Sequence, residues 1–283
     1  MAKSERRKMH KGVAVFLAVL LVGFTIFGAF FLGVFYQIAH WDFWYPDYDK
    51  INIEELLDKQ SRTQEDYATL YAQTGLTKIG IEDTLAQKDG KQIVLDIQKY
   101  YFRKPVLKRE YESPIMYQEK TDGRATFVPL QDGDVLVSAS TVVSWWRFGH
   151  SALVVDGAGG VILESIGIGK DSKYNVSETF APLANFMVLR PKADEETKAK
   201  VVSYAKENLV GLPYVFTVGI LSKKAPNKIK YTQCAHLVWY AYKRYGIDLD
   251  GNGGGLVLPK DMVKSSNVEI VQIFGFDPER LWK

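Results

Sequence analysis

The sequence predicts an α+β domain with an antiparallel sheet, preceded by one membrane-spanning helix and a small helical segment. Three features carry this prediction: an apolar run near the N-terminus, helical patterns from about residue 51 to 102, and short apolar runs between glycine turns from about residue 110. In this last part strands precede helices, which is typical of an α+β domain and not of a doubly wound sheet. The 283 residues, 47% of them hydrophobic, suffice for an ordinary core.

The N-terminal apolar run, Gly12 to Tyr36, is uncharged and follows a basic leader at residues 1–11. Its 25 residues are long enough to span a bilayer. A cleaved signal peptide has a shorter apolar core and a small-x-small cleavage site, and Gln37 before Ala39 makes a poor site. We expect an uncleaved signal anchor at 12–36, a cytoplasmic leader and a single-pass topology with the rest outside the membrane. A buried core helix is the alternative.

The charge balance excludes a nucleic-acid partner. The whole chain carries 36 basic and 33 acidic side chains, and residues 1–11 hold five of the basic ones and one of the acidic ones. The remainder therefore has 31 basic against 32 acidic side chains, which leaves no basic footprint for nucleic acid. With one cysteine and no ligand cluster, no metal or cofactor is expected.

Residues 37–109 are interpreted as an aromatic interfacial stretch followed by a helical subdomain. Trp41, Trp44, Tyr45 and Tyr48 resemble an interfacial belt. A helix is predicted with Thr63 as its N-cap, Asp66 three residues later and Gly75 at its end, and two further short helices are predicted in "IGIEDTLAQKDG" and "KQIVLDIQKYYF". We expect this segment to pack on the main domain as a stalk or subdomain, with partner docking as the alternative.

From residue 110 the pattern changes to short strands. They are predicted in "ATFVPL", "GDVLVSAS", "HSALVVDG", "GVILESIG" and "NFMVLRP". A helix should follow, with Asp194 as its N-cap and Gly211 just past its end. After a loop that contains "GLPYVF", the last predicted helix is "YTQCAHLVWYAYKRYG", which holds the only cysteine.

Cys234 is predicted to lie in the first turn of that helix, with Thr232 as the N-cap and Gly246 as the C-terminal stop. The free N–H groups and the helix dipole at this position stabilise a thiolate and increase its reactivity. The alternative is a small buried apolar residue. The residues expected to face the core are Leu237, Val238, Ala241, Tyr242 and Tyr245.

A thiolate enzyme also needs a base and a group that orients the base. His150 begins "HSALVVDG", and a tight turn at 157–160 would pair positions that sum to 314–317, which brings Glu164 close to the imidazole. Ser165 and Asp156 are alternatives for the orienting role, and Glu164 could instead face solvent. His236 projects about 200° from Cys234 around the helix, so a local packing role is expected.

Four motifs together, "GDVLVS", "GHSALVV", "GGVILES" and "YTQCAHLVWYAY", resemble the circularly permuted papain-like amidases of the YiiX, YaeF and YycO type, which are distant relatives of the NlpC-type cell-wall peptidases. The resemblance covers about residues 130–273 and implies a permuted papain-like hydrolase domain at 110–283. It also implies that Cys234 is the nucleophile, His150 the general base and Glu164 the orienting residue.

The resemblance extends to the surroundings of the thiol with one departure. Ala235 and His236 stand where relatives often have serine and a small or polar residue, which bears on substrate preference. Tyr231 or Tyr214 could line the substrate pocket or help to stabilise an oxyanion, with the Cys234 N–H as another donor. Plain packing is the alternative for both tyrosines.

Together with the apolar N-terminal helix, the resemblance implies a membrane-anchored extracytoplasmic cysteine hydrolase, an amidase or peptidase that acts on cell-wall peptides without a cofactor. The same scaffold resembles the lecithin retinol acyltransferase group, which implies a lipid-directed amidase or acyltransferase as a second possibility. A non-catalytic cell-envelope module that binds wall peptide or a partner protein is the third. The sequence does not determine the oligomeric state.

Overall fold

The computed structural model describes residues 2–40 and 43–282 and divides the chain into two compact units, 1–41 and 42–283. The first unit is one helix, α1 (Ala2–Ala39). Its stretch Gly12–Gly33 has a mean hydropathy of 2.7 and no buried part. A helix of this length and composition is suited to cross a membrane, because lipid accommodates exposed apolar side chains more favourably than water does. The predicted apolar N-terminal helix is confirmed at this level.

Four helices open the second unit: α2 (Glu54–Leu57), α3 (Gln64–Thr74), α4 (Lys78–Leu85) and α5 (Gly90–Tyr101). The predicted capping box at the start of α3 is confirmed, since the Asp66 N–H donates to Thr63 Oγ1 at 3.2 Å and the Thr63 N–H donates to Asp66 Oδ2 at 2.9 Å. Gly75 ends α3 with a φ of +71°, as expected for a glycine C-cap.

Aromatic side chains from the predicted belt pack against these helices. The rings of Trp44 and Tyr101 lie 5.8 Å apart, as do those of Tyr48 and Phe102, and the Trp44 N–H donates to the Gly275 carbonyl. An interfacial role for these rings stays a prediction, and Trp41 lies outside the described residues.

Nine strands form two antiparallel sheets within the described residues. The larger has the order β7-β6-β5-β3-β8-β9, and the smaller has the order β1-β2-β4. The strands are β1 (Leu107–Ser113), β2 (Met116–Thr121), β3 (Val135–Ser138), β4 (Thr141–Val143), β5 (His150–Asp156), β6 (Val161–Glu164), β7 (Lys173–Val176), β8 (Phe186–Pro191) and β9 (Val268–Phe274). The α+β class with antiparallel sheets is confirmed.

The larger sheet lies between two helical layers. Helices α2–α5 cover one face, and α6 (Glu195–Asn208), α7 (Cys234–Lys243) and α8 (Pro259–Val263) cover the other. Each face of the sheet has its own hydrophobic core. Along β5, Ala152 and Val154 lie in the core under α2–α5, while Leu153 and Val155 lie in the core under α6–α8. This burial on both faces explains why "ALVV" is continuously apolar instead of alternating.

One predicted strand is wrong and five strands were not predicted. The segment "ATFVPL" is irregular: the Val128 N–H donates to the side chain of Gln272, and Pro129 has no N–H to offer a ladder. The unpredicted strands are β1, β2, β4, β7 and β9. The helix that begins after Asp194 is confirmed, with the Thr197 N–H donating to the Asp194 side chain at 2.7 Å.

A buried ion network joins the first helical layer to the sheet. Arg190 on β8 donates from Nε and Nη2 to the two carboxylate oxygens of Asp134, each at 2.8 Å, and from Nη1 to Asp83 on α4. The Asp134 side chain is 1% exposed. Burial raises the pKa of Asp134 above its ordinary value despite the hydrogen bonds and charge of Arg190, so this carboxylate depends on its partner to stay ionised.

We expect Arg190→Met to destabilise the protein by about 3 kcal/mol, because it leaves Asp134 buried without a counter-charge. Adding Asp134→Leu should recover much of this loss, since the unpaired charge is then gone. Arg124→Met is the matched control: its pair with Glu178 is well exposed, and the loss should stay below about 1 kcal/mol. Urea unfolding of the detergent-solubilised chain measures all three variants. Equal losses for Arg190→Met and Arg124→Met would contradict the expectation.

Candidate active site

The only cysteine of the chain is the first residue of α7, so its predicted place in the first helical turn is confirmed. The predicted N-cap, Thr232, is wrong: the cap is Gln233, whose Oε1 accepts from the Ala235 N–H at 2.8 Å. The Val257 carbonyl holds the amide of Gln233 in place by accepting from Nε2 at 2.6 Å. The same Oε1 accepts a hydrogen bond from the Cys234 thiol at 3.3 Å.

The hydroxyl of Thr232 is occupied elsewhere, which explains the shifted cap. It lies 3.0 Å from Nδ1 of His236, and Nε2 of that ring lies 2.7 Å from the Lys224 carbonyl. Burial lowers the pKa of His236 to about 4, so the ring is neutral at physiological pH. The expected packing role of His236 is consistent with these contacts.

Helix α7 is buried on all sides, not on one face only. The predicted core positions from Leu237 to Tyr242 are fully buried. Tyr245 was also expected in the core and is 37% exposed, because the helix has already ended at Lys243 and the chain turns at Gly246. The thiol is therefore fixed to a rigid element inside the domain.

Strands β5 and β6 bring His150 and Glu164 into contact. Ala152 pairs with Glu164, so paired positions sum to 316, within the predicted range. Positions two apart on a strand share a face, which places His150 diagonally next to Glu164. The distance from His150 Nε2 to Glu164 Oε2 is 2.7 Å, and the Glu164 side chain is 3% exposed. The predicted contact is confirmed, and Glu164 does not face solvent.

The two alternative orienting residues, Asp156 and Ser165, form no hydrogen bond with His150 in this structure. Asp156 lies at the far end of β5, where it accepts from the Gly159 N–H in the hairpin turn at 2.8 Å. The Ser165 hydroxyl has no hydrogen-bond partner among the described residues. Asn175 on β7, which the sequence analysis missed, donates to the second carboxylate oxygen of Glu164 at 2.6 Å.

Burial and charge act in opposite directions on this pair. Burial by itself would lower the pKa of His150, but the neighbouring Cys234 and Glu164 side chains outweigh it and raise the pKa to about 10. Burial by itself would raise the pKa of Glu164, but the hydrogen bond and charge of His150, with the Asn175 bond, hold it below its ordinary value. At neutral pH the pair is an imidazolium bound to a carboxylate.

The imidazole is also held by its surroundings. The Phe180 ring stacks on it, with 5.5 Å between centroids. Gly149, directly before His150, has a φ of +76°, and a Cβ there would lie 2.5 Å from the Ser138 carbonyl oxygen. Only glycine fits this approach, which explains the Gly-His pair in the sequence.

A salt bridge fixes the loop that leads into His150. Arg147 donates to both carboxylate oxygens of Glu119 on β2, at 2.6 and 3.0 Å, and the Glu119 side chain is fully buried. The bidentate geometry ties the smaller sheet to the β4–β5 loop. The histidine is thus positioned from both sheets.

A cavity of about 460 Å³ opens between the sheets, and both Cys234 and His150 line it. Strands β2 and β4 form one wall of the cavity, where Met116 on β2 pairs directly with Val143 on β4. Most of the remaining lining is apolar and includes Phe148, Ile166, Phe216 and Leu258. The charged pair Glu112 and Lys170, 3.0 Å apart, is the main exception. A cavity of this size and character is suited to a partly apolar ligand.

The two predicted substrate-binding tyrosines differ in placement. Tyr214 lines the cavity, and burial together with its proximity to Cys234 raises its pKa, so it is a neutral hydrogen-bond donor. Tyr231 is half-buried and is not among the lining residues. Gln233, which the sequence analysis passed over although it directly precedes the cysteine, both lines the cavity and contacts the thiol.

Within residues 2–40 and 43–282, no group of three or more histidine, cysteine, aspartate or glutamate side chains could hold a metal ion. Comparisons with protein-family models, with curated proteins and with solved structures find no match for this chain. Its function is therefore inferred from the site itself.

The raised pKa of His150 predicts a pH-dependent stability. Below about pH 6.5, the ordinary value, His150 is protonated in both the folded and the unfolded chain; between there and about pH 10 only the folded chain keeps the proton. The free energy of unfolding should therefore fall as pH rises through this window. Glu164→Gln removes one counter-charge, so its decline should be smaller and should end at lower pH.

Urea unfolding of the detergent-solubilised chain at a series of pH values from 6 to 10 tests this. Glu178→Gln, which alters an exposed ion pair, is the control and should follow the wild-type curve in shape. Parallel curves for wild type and Glu164→Gln would show that the carboxylate does not hold the His150 proton.

Proposed function

We propose that the protein is a membrane-anchored cysteine hydrolase that cleaves an amide bond, with Cys234 as the nucleophile, His150 as the acid–base group and Glu164 as the orienting carboxylate. The observation that supports this most is that Cys234, at the start of a buried helix, shares one cavity with a His150–Glu164 pair at 2.7 Å. Nucleophile, base and orienting group in this relation are what thiol catalysis requires.

The permuted papain-like fold is part of the proposal. In this chain the histidine strand precedes the cysteine helix, and the helix packs on an antiparallel sheet. This is the order that the resemblance to the permuted amidases implies. The basic leader before the apolar helix supports the extracytoplasmic placement that we propose for the C-terminal domain.

In the first half-reaction, the nucleophile is the Cys234 thiolate, and the protonated His150 beside it holds the transferred proton on the ring nitrogen that does not face Glu164. The thiolate attacks the amide carbonyl carbon, and the carbonyl oxygen becomes an oxyanion. The Cys234 N–H at the helix start and the neutral Tyr214 hydroxyl are the donors we assign to it. As the C–N bond breaks, His150 passes the proton to the leaving amine, which leaves a thioester on Cys234.

In the second half-reaction, His150 removes a proton from water, and the hydroxide attacks the thioester carbonyl. The C–S bond breaks, the carboxylic acid is released, and the Cys234 thiolate and the protonated His150 are restored. Glu164 keeps the imidazole oriented and stabilises its positive charge throughout. Asn175 and Phe180 hold this pair, so we assign them positioning roles.

Two substrate classes fit the location at a membrane. Cell-wall peptides are the first, because the domain would face the wall. The cavity favours the second, an amide or ester that carries an acyl chain, since its lining is mainly apolar and two exposed apolar side chains, Trp146 and Ile168, lie on it. Because Glu112 and Lys170 bind each other, the cavity lining offers few unpaired charges that could bind a polar stem peptide.

The first test is alkylation of Cys234 by iodoacetamide at pH 6 in the detergent-solubilised chain. Because the chain has one cysteine, intact mass reports its modification alone. A thiolate paired with His150 should react at least tenfold faster than N-acetylcysteine, and His150→Ala should lose this advantage. Glu164→Gln should lie between the two.

The control for the alkylation test is the same thiol in the unfolded chain. Alkylation of the urea-unfolded chain gives the rate of the same thiol without the site. A slow rate in wild type that His150→Ala leaves unchanged would reject the hydrolase and favour a binding module that acts through its cavity.

The second test separates the two substrate classes. For p-nitrophenyl esters from acetyl to decanoyl, an acyl-chain site predicts that kcat/KM rises by up to roughly fourfold per added methylene until the cavity is filled. Met116→Trp should reduce activity on the long esters more than on acetyl, because it narrows the cavity. Tyr111→Trp, on β1 but outside the cavity lining, is the matched control.

A kcat/KM that does not change with chain length, together with release of amino acids from muropeptides, would assign the protein to the cell-wall peptides instead.

A further inference from the structure

The loop between α6 and α7 exposes two large aliphatic side chains that the proposed chemistry does not use. Ile220 is 58% exposed and its neighbour Leu221 is 80% exposed. Adjacent aliphatic side chains of this size cost free energy in water, so a contact that covers both of them is favourable. We call residues 216–230 the lysine loop, because this segment contains four lysines.

The lysine loop is strongly basic. The sequence contains no aspartate or glutamate from residue 208 to residue 247, and the loop carries four lysines. Lys223, Lys228 and Lys230 are exposed, and none of them forms an ion pair within the part of the chain that the structure describes. Lys224 is the exception, since it binds Asp250. An apolar tip flanked by three uncompensated positive charges fits an anionic partner.

The loop is held in shape at its base, so the tip is not exposed merely because the chain is loose. The Lys224 ammonium donates to the Gly254 carbonyl at 2.6 Å, and the Tyr240 hydroxyl donates to the Pro226 carbonyl at 2.6 Å. Gly219 has a φ of +90°, and a Cβ there would lie 1.9 Å from the Gly255 carbonyl oxygen. Ile229 is buried. A loop fixed in this way loses little conformational freedom on binding.

We infer that the lysine loop docks on an anionic lipid bilayer, with Ile220 and Leu221 inserted at the level of the acyl chains and the three lysines on the headgroup phosphates. Apolar side chains beside lysines are the combination that binds bilayer interfaces. The same chain carries a helix suited to span a membrane at Gly12–Gly33, so a bilayer is the anionic surface within reach. An acidic soluble partner would match the charges but would not require the aliphatic tip.

The lysine loop also adjoins the candidate active site. Phe216, at its start, lines the cavity, and its ring lies 4.8 Å from that of Phe148. A docked loop would therefore hold the cavity close to the lipid. The docking itself does not depend on thiol chemistry, so it stands or falls separately from the proposed hydrolase.

The test uses the full chain with Cys234→Ser and Leu221→Cys, labelled at residue 221 with an environment-sensitive fluorophore and reconstituted in lipid nanodiscs. In nanodiscs of phosphatidylcholine with phosphatidylglycerol, the emission should shift to shorter wavelength relative to phosphatidylcholine alone, and high salt should reverse the shift. Brominated acyl chains should quench the label. Because this variant lacks the nucleophile, the result is independent of activity.

Charge variants show whether the loop is responsible. Replacing Lys223, Lys228 and Lys230 by glutamine should reduce the ratio of docked to undocked protein by roughly fivefold per lysine. The matched control replaces Lys88, Lys99 and Lys206, which are exposed lysines outside the loop, and should leave the shift unchanged.

Three outcomes would overturn the inference: no shift on adding phosphatidylglycerol, an equal loss in both triple variants, or a full shift produced by soluble polyphosphate in phosphatidylcholine nanodiscs. The last would identify a soluble polyanion as the ligand of the loop.

Discussion

The hydrogen bond between His150 and Glu164 is the contact on which the rest of the site depends. Burial drives each group towards its neutral form; the contact between them opposes this for both groups, and Cys234 adds to the effect at His150. That condition explains the surroundings: Asn175 on the second oxygen of Glu164, Phe180 on the ring, and a glycine before His150 that lets the backbone approach. It also explains why the β5–β6 register matters, since a slip by one residue would move Glu164 to the other face.

Helices cover both faces of the sheet that carries this pair. Helix α7 supplies one layer and also carries the thiol, so packing and chemistry are joined in one element. Helices α2–α5 supply the other layer, and Arg190 locks that layer to the sheet through Asp83 and Asp134. The helical segment α2–α5 thus shields the hydrophobic core on this face of the sheet from water.

Features set by local chemistry could be predicted from the sequence, and those set by distant contacts could not. The Thr63 capping box, the β5–β6 hairpin and the first-turn cysteine follow from neighbouring residues. The Gln233 cap depends on Val257, and "ATFVPL" depends on Gln272, both far along the chain. Strand β1, "LKREYES", has no buried residue and therefore no apolar face, so its sequence pattern did not indicate a strand. Asn175 was missed because its strand was missed.

The smaller sheet has a consequence for how such a protein could diversify. Its strands β2 and β4 form one wall of the cavity and belong to a different sheet from the one that holds His150 and Glu164. Met116 and Val143 on this wall take no part in the hydrogen bonds of the buried pair, whereas Glu119 on the same sheet is tied to the loop before His150. Ligand preference can drift on this wall while the reactive centre stays constant, which separates the part of the protein open to evolutionary change from the part that must be kept.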